Sequence, residues 1–576
     1  MSSTACPLDC YDACEIIYED EKIKPKKSGH TKGFLCPHLN HYEENSQITK
    51  PRYKGQEITM NDALLKLKEI LSSTQKNDIL HYRGSGNFGL MQEVTDHFFA
   101  SFGATLTDGS LCDGAGEAGI IEGRGSNKNM PLSQIERSEV VILWGRNPHT
   151  TSSHLLPLLK DKKLIVIDPV KTKAAKMADI YVQIQPHGDL EFAMLLSRFL
   201  HIEHGYDEEY LKKYASEYED YYELTQNIRI KITLDKIGVT LGDIGDILAT
   251  IKDKKVAIVC GVGIQKYRNG DEVMRTIDAF AANLGLFGKD GCGVAYLGNS
   301  KEGIVSPFNT KAKRISKVDT KFSDFKTLFV QGANPFSQMP NTQRVKAEIS
   351  KVENLIYFGL YENETSESAS LVIPAKSFLY KNDIRTSYSH NAMLEMPKQK
   401  DIDVGISEYE LSRFLCKEFD IELKSEEQYL EHFKSFCEQS ESATCSVKRE
   451  DIPYKDGFDT DDGEFFFLDE FEASEYDENK LFLITSKSPK SLNSQFNTDS
   501  FVYLNSSLGF KENELVEISS SIGSIELHVK LDDDLREDCA LIFSGTKGVN
   551  SLTTSLHSYS GKNAIYQEEM ISIKSV

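Results

Sequence analysis

Three cysteines, Cys6, Cys10 and Cys14, stand four residues apart in "TACPLDCYDAC", and a fourth, Cys36, follows in "GFLC". Thiolates are soft ligands, so four of them in one short stretch point first to a metal centre. Structural zinc more usually draws its thiols from Cys-x-x-Cys pairs, and these four contain none, which favours an iron–sulfur cluster over zinc. A third reading stays open, because on a helix the same spacing would line three thiols along one face as a core stripe. Pro7, Asp9 and Asp12 make that helix a poor one. The chain has eleven cysteines, an odd number, and a reducing compartment disfavours disulfides. Cys260, Cys416, Cys437, Cys445 and Cys539 therefore read as isolated thiols.

A second chemistry is suggested by two similar segments, "EVVILWGRNPHTTSSH" at 139–154 and "KTLFVQGANPFSQMPN" at 326–341. Each is an apolar run ending in Gly-x-Asn-Pro, with Gly145 and Asn147 in the first and Gly332 and Asn334 in the second. A tight turn at a strand's carboxyl end offers backbone N–H groups to a phosphate, and an acid at the next strand end, Asp168, suits ribose hydroxyls. Taken singly, Gly-x-Asn-Pro is turn chemistry and no more. Its repetition implies two related nucleotide-sized units. Between them, "VAIVCGVGIQ" carries Gly261 and Gly263, half of a dinucleotide fingerprint and a weak signal alone.

The elements that must position these residues alternate short apolar runs with helical stretches from "DALLKLKEILSS" onward, which predicts parallel sheets covered by helices. The expected fold is α/β and multidomain. Residues 1–55 form a small iron–sulfur module, 56–450 an α/β core with the two nucleotide-binding units, 451–478 an acidic linker without chemistry of its own, and 479–576 a β barrel of short alternating strands. A formal charge of -22 argues against a nucleic-acid partner. No apolar run approaches the ~18 residues of a membrane span. The opening residues lack a basic region, an apolar core and a twin-arginine pair, so the chain is expected to stay in the cytoplasm.

"CPLDCYDAC" with "GFLC" resembles the amino-terminal 4Fe-4S motif of the dimethyl sulfoxide reductase family of molybdopterin oxidoreductases. In order along the chain, "GSLCDGAGEAG", "WGRNP", "VIDPVKTKAAKMAD", "GVGIQKYRNG", "LGLFGKDGCG", "QGANP", "ETSESASLVIPAKSFLYKNDI" and "GVNSLTTSLHSYSGKNAIYQ" extend the likeness over nearly its whole length. The resemblance implies a bis-molybdopterin guanine dinucleotide cofactor holding molybdenum or tungsten, with the paired nucleotide units as seats for its two dinucleotides and the barrel closing over the pterins. It implies cluster ligation by Cys6, Cys10, Cys14 and Cys36, and metal ligation by Cys112. Gly145, Asn147, Asp168, Gly263, Gln265, Gly332, Asn334, Asn550 and Tyr566 fall at cofactor-contact positions. Glu117, five residues after Cys112, is a candidate carboxylate to orient a ligand or relay a proton, its alternative being a solvated helix residue.

Three positions depart from the family pattern. His38 stands where many relatives carry Lys or Arg between cluster and pterin. Ala369-Ser370 replaces the usual Ala-Asp. Asp113 and Gly114 follow Cys112 where formate dehydrogenases have His, which counts against formate as substrate. The implied activity is two-electron oxygen-atom transfer or dehydrogenation of a small molecule, with electrons passed through the cluster to an electron-transfer protein or iron–sulfur subunit. The alternatives are a non-redox hydratase using the same cofactors, with Asp9 or Asp113 as its acid, and a degenerate non-catalytic subunit.

Overall fold

The computed structural model describes residues 2–8, 10–27, 31–40, 42, 46–86, 89–215, 217–402, 404–438, 444–473, 476–477, 479–491 and 500–576. The chain divides into two compact units. One comprises Met1–Gly109, Ser300–Arg449 and Lys490–Asn497, and the other Ser110–Asn299, Glu450–Pro489 and Thr498–Val576.

The first unit is built on an eight-stranded sheet in the order Arg314–Ser316, Thr105–Asp108, Ile79–Arg83, Thr327–Gln331, Asn354–Gly359, Leu371–Pro374, Arg52–Tyr53, Gln56–Glu57. The first six strands are parallel, with Leu328 paired to both Leu80 and Leu355, and the last two add an antiparallel hairpin. Phe329, Ile356, Phe358 and Ile79 bury one face against the helices Met60–Ser73, Val94–Phe102 and Glu408–Glu418. The amino-terminal strands Ser2–Ala5, Glu15–Glu19 and Lys22–Pro25 form a small antiparallel sheet. Its core, with Ala5, Ile16 and Leu39, is shared with Phe378, Leu394 and Met396. Leu394 and Met396 lie on the strand Ala392–Met396, which pairs with Asp383–Thr386 and Thr444–Ser446. Cys437 and Cys445, expected as isolated thiols, are joined in a disulfide here, because the chain turns back so that Cys437 bridges Val447.

The second unit holds a five-stranded parallel sheet, Ile180–Val182, Lys163–Ile167, Val140–Trp144, Val256–Cys260 and Gly293–Ala295, in that order. Its central strands are buried at every position, as expected of parallel strands covered on both faces. The helices Gly114–Arg124, Asp189–Ile202 and Gly270–Asn283 pack on it. A closed six-stranded barrel follows, in the order Leu481–Ser486, Cys539–Phe543, Phe501–Leu504, Ser524–Leu531, Leu515–Ser519, Met570–Ser575. The stretch read as an acidic linker is not simply solvated. Tyr454, Phe458, Phe465, Phe467 and Leu468 are buried in the core of this unit, where Tyr454 and Phe287 stack on the Arg124 guanidinium that pairs with Asp278. The acids between those residues set the composition; the aromatics set the packing.

The repeat is deeper than Gly-x-Asn-Pro. In the second unit, strands Val140–Trp144 and Val256–Cys260 are neighbours, and they end in Gly145 and Gly261. In the first, Thr327–Gln331 and Ile79–Arg83 are neighbours and end in Gly332 and Gly84. Gly145 and Gly332 have φ of 60° and 54°, in the region that favours glycine. A Cβ on Gly261 would stand 1.7 Å from the Gly145 carbonyl, and one on Gly84 would stand 2.4 Å from that of Gly332. The chain order of the paired strands is reversed between the units, so sequence comparison aligns only half of each.

Candidate functional site

Residues 6–8 and 10–14 are bends and irregular chain rather than a helix, which removes the core-stripe reading of the cysteines. The loop is closed by Cys6 N–H donating to the Cys14 carbonyl at 2.8 Å, and the Leu8 N–H points at the Cys6 sulfur at 3.5 Å. Cys6 and Cys14 are buried, Cys10 and Cys36 half-buried. Burial pushes all four thiols up, Cys10 to about 12; the Asp12 carboxylate raises Cys10, Cys14 and Cys36 further, and neighbouring thiols add to this at Cys6, Cys10 and Cys14. Four soft donors held within one unit are a donor set that a cationic metal centre satisfies. His38 is buried beside them on the short helix Pro37–Asn40. Asp9 lies outside the described residues.

One feature of this loop had no signal in the sequence. Arg385, 0% exposed, donates through Nη1 to the Cys6 carbonyl and through Nη2 to the Cys10 carbonyl at 3.2 Å. Ser387 Oγ donates to the Asp12 carbonyl at 3.1 Å, and Ser389 Oγ to the Tyr11 carbonyl at 3.1 Å. The guanidinium opposes burial at Cys6 and Cys10, pulling both thiols down. Also in this unit, Gly332 makes the turn described above. Asn334 is engaged by the protein itself, donating to Glu364 Oε2 at 2.8 Å and accepting from Thr365 Oγ1 at 2.8 Å.

In the second unit Cys112 is half-buried two residues before the helix Gly114–Arg124. Ser110 Oγ accepts from the N–H groups of Cys112 and Asp113 at 2.8 and 3.1 Å and donates to Asp113 Oδ1 at 3.0 Å, so the carboxylate helps fix the thiol's turn. The helix starts with glycine because its neighbours approach closely. A Cβ on Gly114 would meet the Gly561 carbonyl at 2.8 Å, and one on Gly116 would meet Gln265 Oε1 at 2.5 Å. Gln265, 1% exposed, accepts instead from the Gly116 N–H at 2.8 Å. Glu117 accepts from the Asn127 amide. Backbone bonds from Ala564 to Ser110, Tyr559 to Arg268 and Gln567 to Lys266 draw the barrel's last loop onto the same place, with Tyr566 under the Lys266 ammonium. Cys112, Gln265 and Tyr566 are thus brought together. Asn550 is buried, its Oδ1 accepting from Thr553 Oγ1 at 3.1 Å.

The turn at Gly145 presents Asn147, whose buried Oδ1 has no hydrogen-bond partner among the described residues, and His149 Nδ1 is in the same condition. Beyond Gly263 nothing would meet an added Cβ within 4 Å. Asp168, at the next strand end, accepts from Val170 N–H at 2.9 Å, and burial raises its carboxyl to about 7, with the Asp189 charge adding to it. Asp189, raised likewise by burial to about 7, accepts from Trp144 Nε1 at 2.7 Å.

The family model of molybdopterin oxidoreductases matches residues 60–399, more than half of the chain. The chain belongs to the molybdopterin oxidoreductase family. Members it is similar to include the probable oxidoreductase YyaE of Bacillus subtilis, 27% identical over 69% of this chain and 66% of that one, and the assimilatory nitrate reductase catalytic subunit of the same species, 22% identical over 65% and 62%. The chain thus spans about two thirds or less of the length of these curated relatives. The solved acetylene hydratase from Pelobacter acetylenicus has the same fold, with a TM-score of 0.77 over 100% of both chains at 14% identity. The family's pterin cofactor, holding molybdenum or tungsten, fits the residues of the second unit. There is a half-buried thiol among glycines, an unfilled space beside Gly263 and an orphaned amide oxygen on Asn147.

Proposed function

We propose that the chain is the catalytic subunit of a molybdenum or tungsten bis-molybdopterin guanine dinucleotide oxidoreductase, performing two-electron oxygen-atom transfer or dehydrogenation on a small molecule. What supports the redox reading is the family match together with the four-thiol loop, whose donors suit a 4Fe-4S cluster and so single-electron traffic to an electron-transfer partner. When bound, the pterin-held metal supplies the two-electron change that protein side chains cannot. The protein's part is placement. Cys112 ligates the metal on a turn fixed by Ser110 and Asp113, and Gln265 holds the GVG turn against the Cys112 helix. Asn147 and Asp168 are offered to a guanine dinucleotide, the first through its unmet acceptor and the second at the strand end beyond it. Glu117 lies one helical turn beyond Asp113, oriented by Asn127, as a carboxylate beside the ligand loop.

The test is anaerobic purification with assay of iron, acid-labile sulfide, molybdenum, tungsten and guanine nucleotide, followed by dye-linked turnover on nitrate, N-oxides, sulfoxides and small alcohols or aldehydes. About four irons and four sulfides per chain are expected of the cluster. Zinc without sulfide, or no molybdenum, tungsten or guanine, overturns the reading. Full metal content with product formed only by adding water, and no dye reduced or oxidised, would assign the chain to non-redox hydration.

A further inference from the structure

Arg385, Ser387 and Ser389 occupy alternate positions running off the end of the strand Asp383–Thr386, and all three side chains donate into carbonyls of a single loop. The carbonyls belong to Cys6, Cys10, Tyr11 and Asp12. Each of those peptides lies on or between the cysteines of the loop, and the donor at the head of the row carries a full charge in a position with no exposed surface. A buried guanidinium is costly to bring out of water, and neutral donors such as the two serines can hold a loop without that cost. A charge is useful there if the loop's occupant is anionic. Four thiolates around a 4Fe-4S core make such an occupant, with total charge of about -2 in the oxidised form and about -3 after one electron is added.

Resting on the cluster assignment proposed above, we infer that Arg385 is the charge-compensating residue of the cysteine loop, retaining the cluster and raising its reduction potential. The step involved is transfer of one electron from an external one-electron donor to the cluster, with no bond made or broken; the arginine favours the more negative product. It acts through the ligand peptides and is a positioning residue, so the measurement that decides is a potential rather than turnover.

Arg385→Gln and Arg385→Lys would be purified anaerobically, assayed for iron and sulfide, and titrated with a mediated reductant while the reduced cluster is followed by electron paramagnetic resonance. The Gln variant is expected either to lose its cluster or to keep it with at least a tenfold weaker tendency to accept an electron, a downward shift of about 59 mV or more for one electron. The Lys variant is expected to keep the cluster near the wild-type potential. A Gln variant with wild-type potential overturns the inference. So do Gln and Lys variants that shift equally or both lose the cluster, because the guanidinium's shape and not its charge would then be at work. Wild-type protein without iron and sulfide would instead sink the cluster assignment itself.

Discussion

At the scale of single residues, Cys112 and Trp144 give the sharpest expectations. Cys112→Ala should retain the iron–sulfur spectrum, since the four-cysteine loop belongs to the other unit, yet lose or greatly reduce turnover and change the paramagnetic signal of the metal. Cys112→Ser should be milder, an alkoxide being a harder but usable ligand; normal activity and an unchanged signal in the alanine variant would make Cys112 a core thiol. Trp144 is the only tryptophan and donates to Asp189, so its emission reports that carboxyl directly. Because burial raises Asp189 to about 7, emission should titrate near that pH, and Asp189→Asn should abolish the transition. A raised carboxyl stabilises the fold at low pH, and this contribution is lost as pH climbs from the ordinary carboxylate range through about 7; Asp168, raised alike, adds to it. The urea midpoint should therefore fall between pH 5 and 8, and fall less in Asp189→Asn. The cysteines were legible in the sequence because their spacing is local. Arg385 was not, since its partners lie 379 and 375 residues away and nothing local distinguishes a buried arginine from a surface one.

At the scale of elements, glycines divide into those the packing needs and those a ligand would need. Gly119 lies where the helices Gly114–Arg124 and Gly270–Asn283 cross, and an added Cβ would stand 2.0 Å from the Asp271 carbonyl. Gly119→Ala should cost about 1–3 kcal/mol, read from the urea midpoint. Gly263 is the opposite case. With nothing within 4 Å of an added Cβ, Gly263→Ala should leave the midpoint unchanged while lowering the guanine released from purified protein by acid hydrolysis. Unaltered guanine content would place the dinucleotide elsewhere. The parallel strands were legible because their apolar runs are continuous, and the two Gly-x-Asn-Pro turns because they follow strands of the same length. The partner turns at Gly84 and Gly261 went unpaired because they precede their neighbour in one unit and follow it in the other. The acidic stretch misled through composition: charge counts do not register that Phe458, Phe465 and Phe467 are spaced to bury.

At the scale of the whole molecule, the first unit is interrupted by residues 110–299 of the second, and among the described residues no helix is long and apolar enough to cross a membrane. The amino-terminal sheet shares its core with Phe378, Leu394 and Met396, so loss of the proposed cluster should be felt in both segments together. Removing iron with an oxidant and chelator is expected to speed amide hydrogen exchange in 2–27 and 378–396 alike; protection lost only in 2–27 would contradict the shared core. In the sequence the cysteine motif looks like a module of its own, because nothing in those residues records that their packing partners come so much later. That separation has a consequence in time. Cys6 leaves the ribosome 379 residues before Arg385, an interval of roughly 20–75 s at the usual pace of synthesis. Throughout it the thiols are translated but uncradled. On the cluster assignment proposed above, a nascent chain halted before residue 385 should hold no stable cluster, and metallation would follow emergence of the strand Ala392–Met396, late in translation or after release.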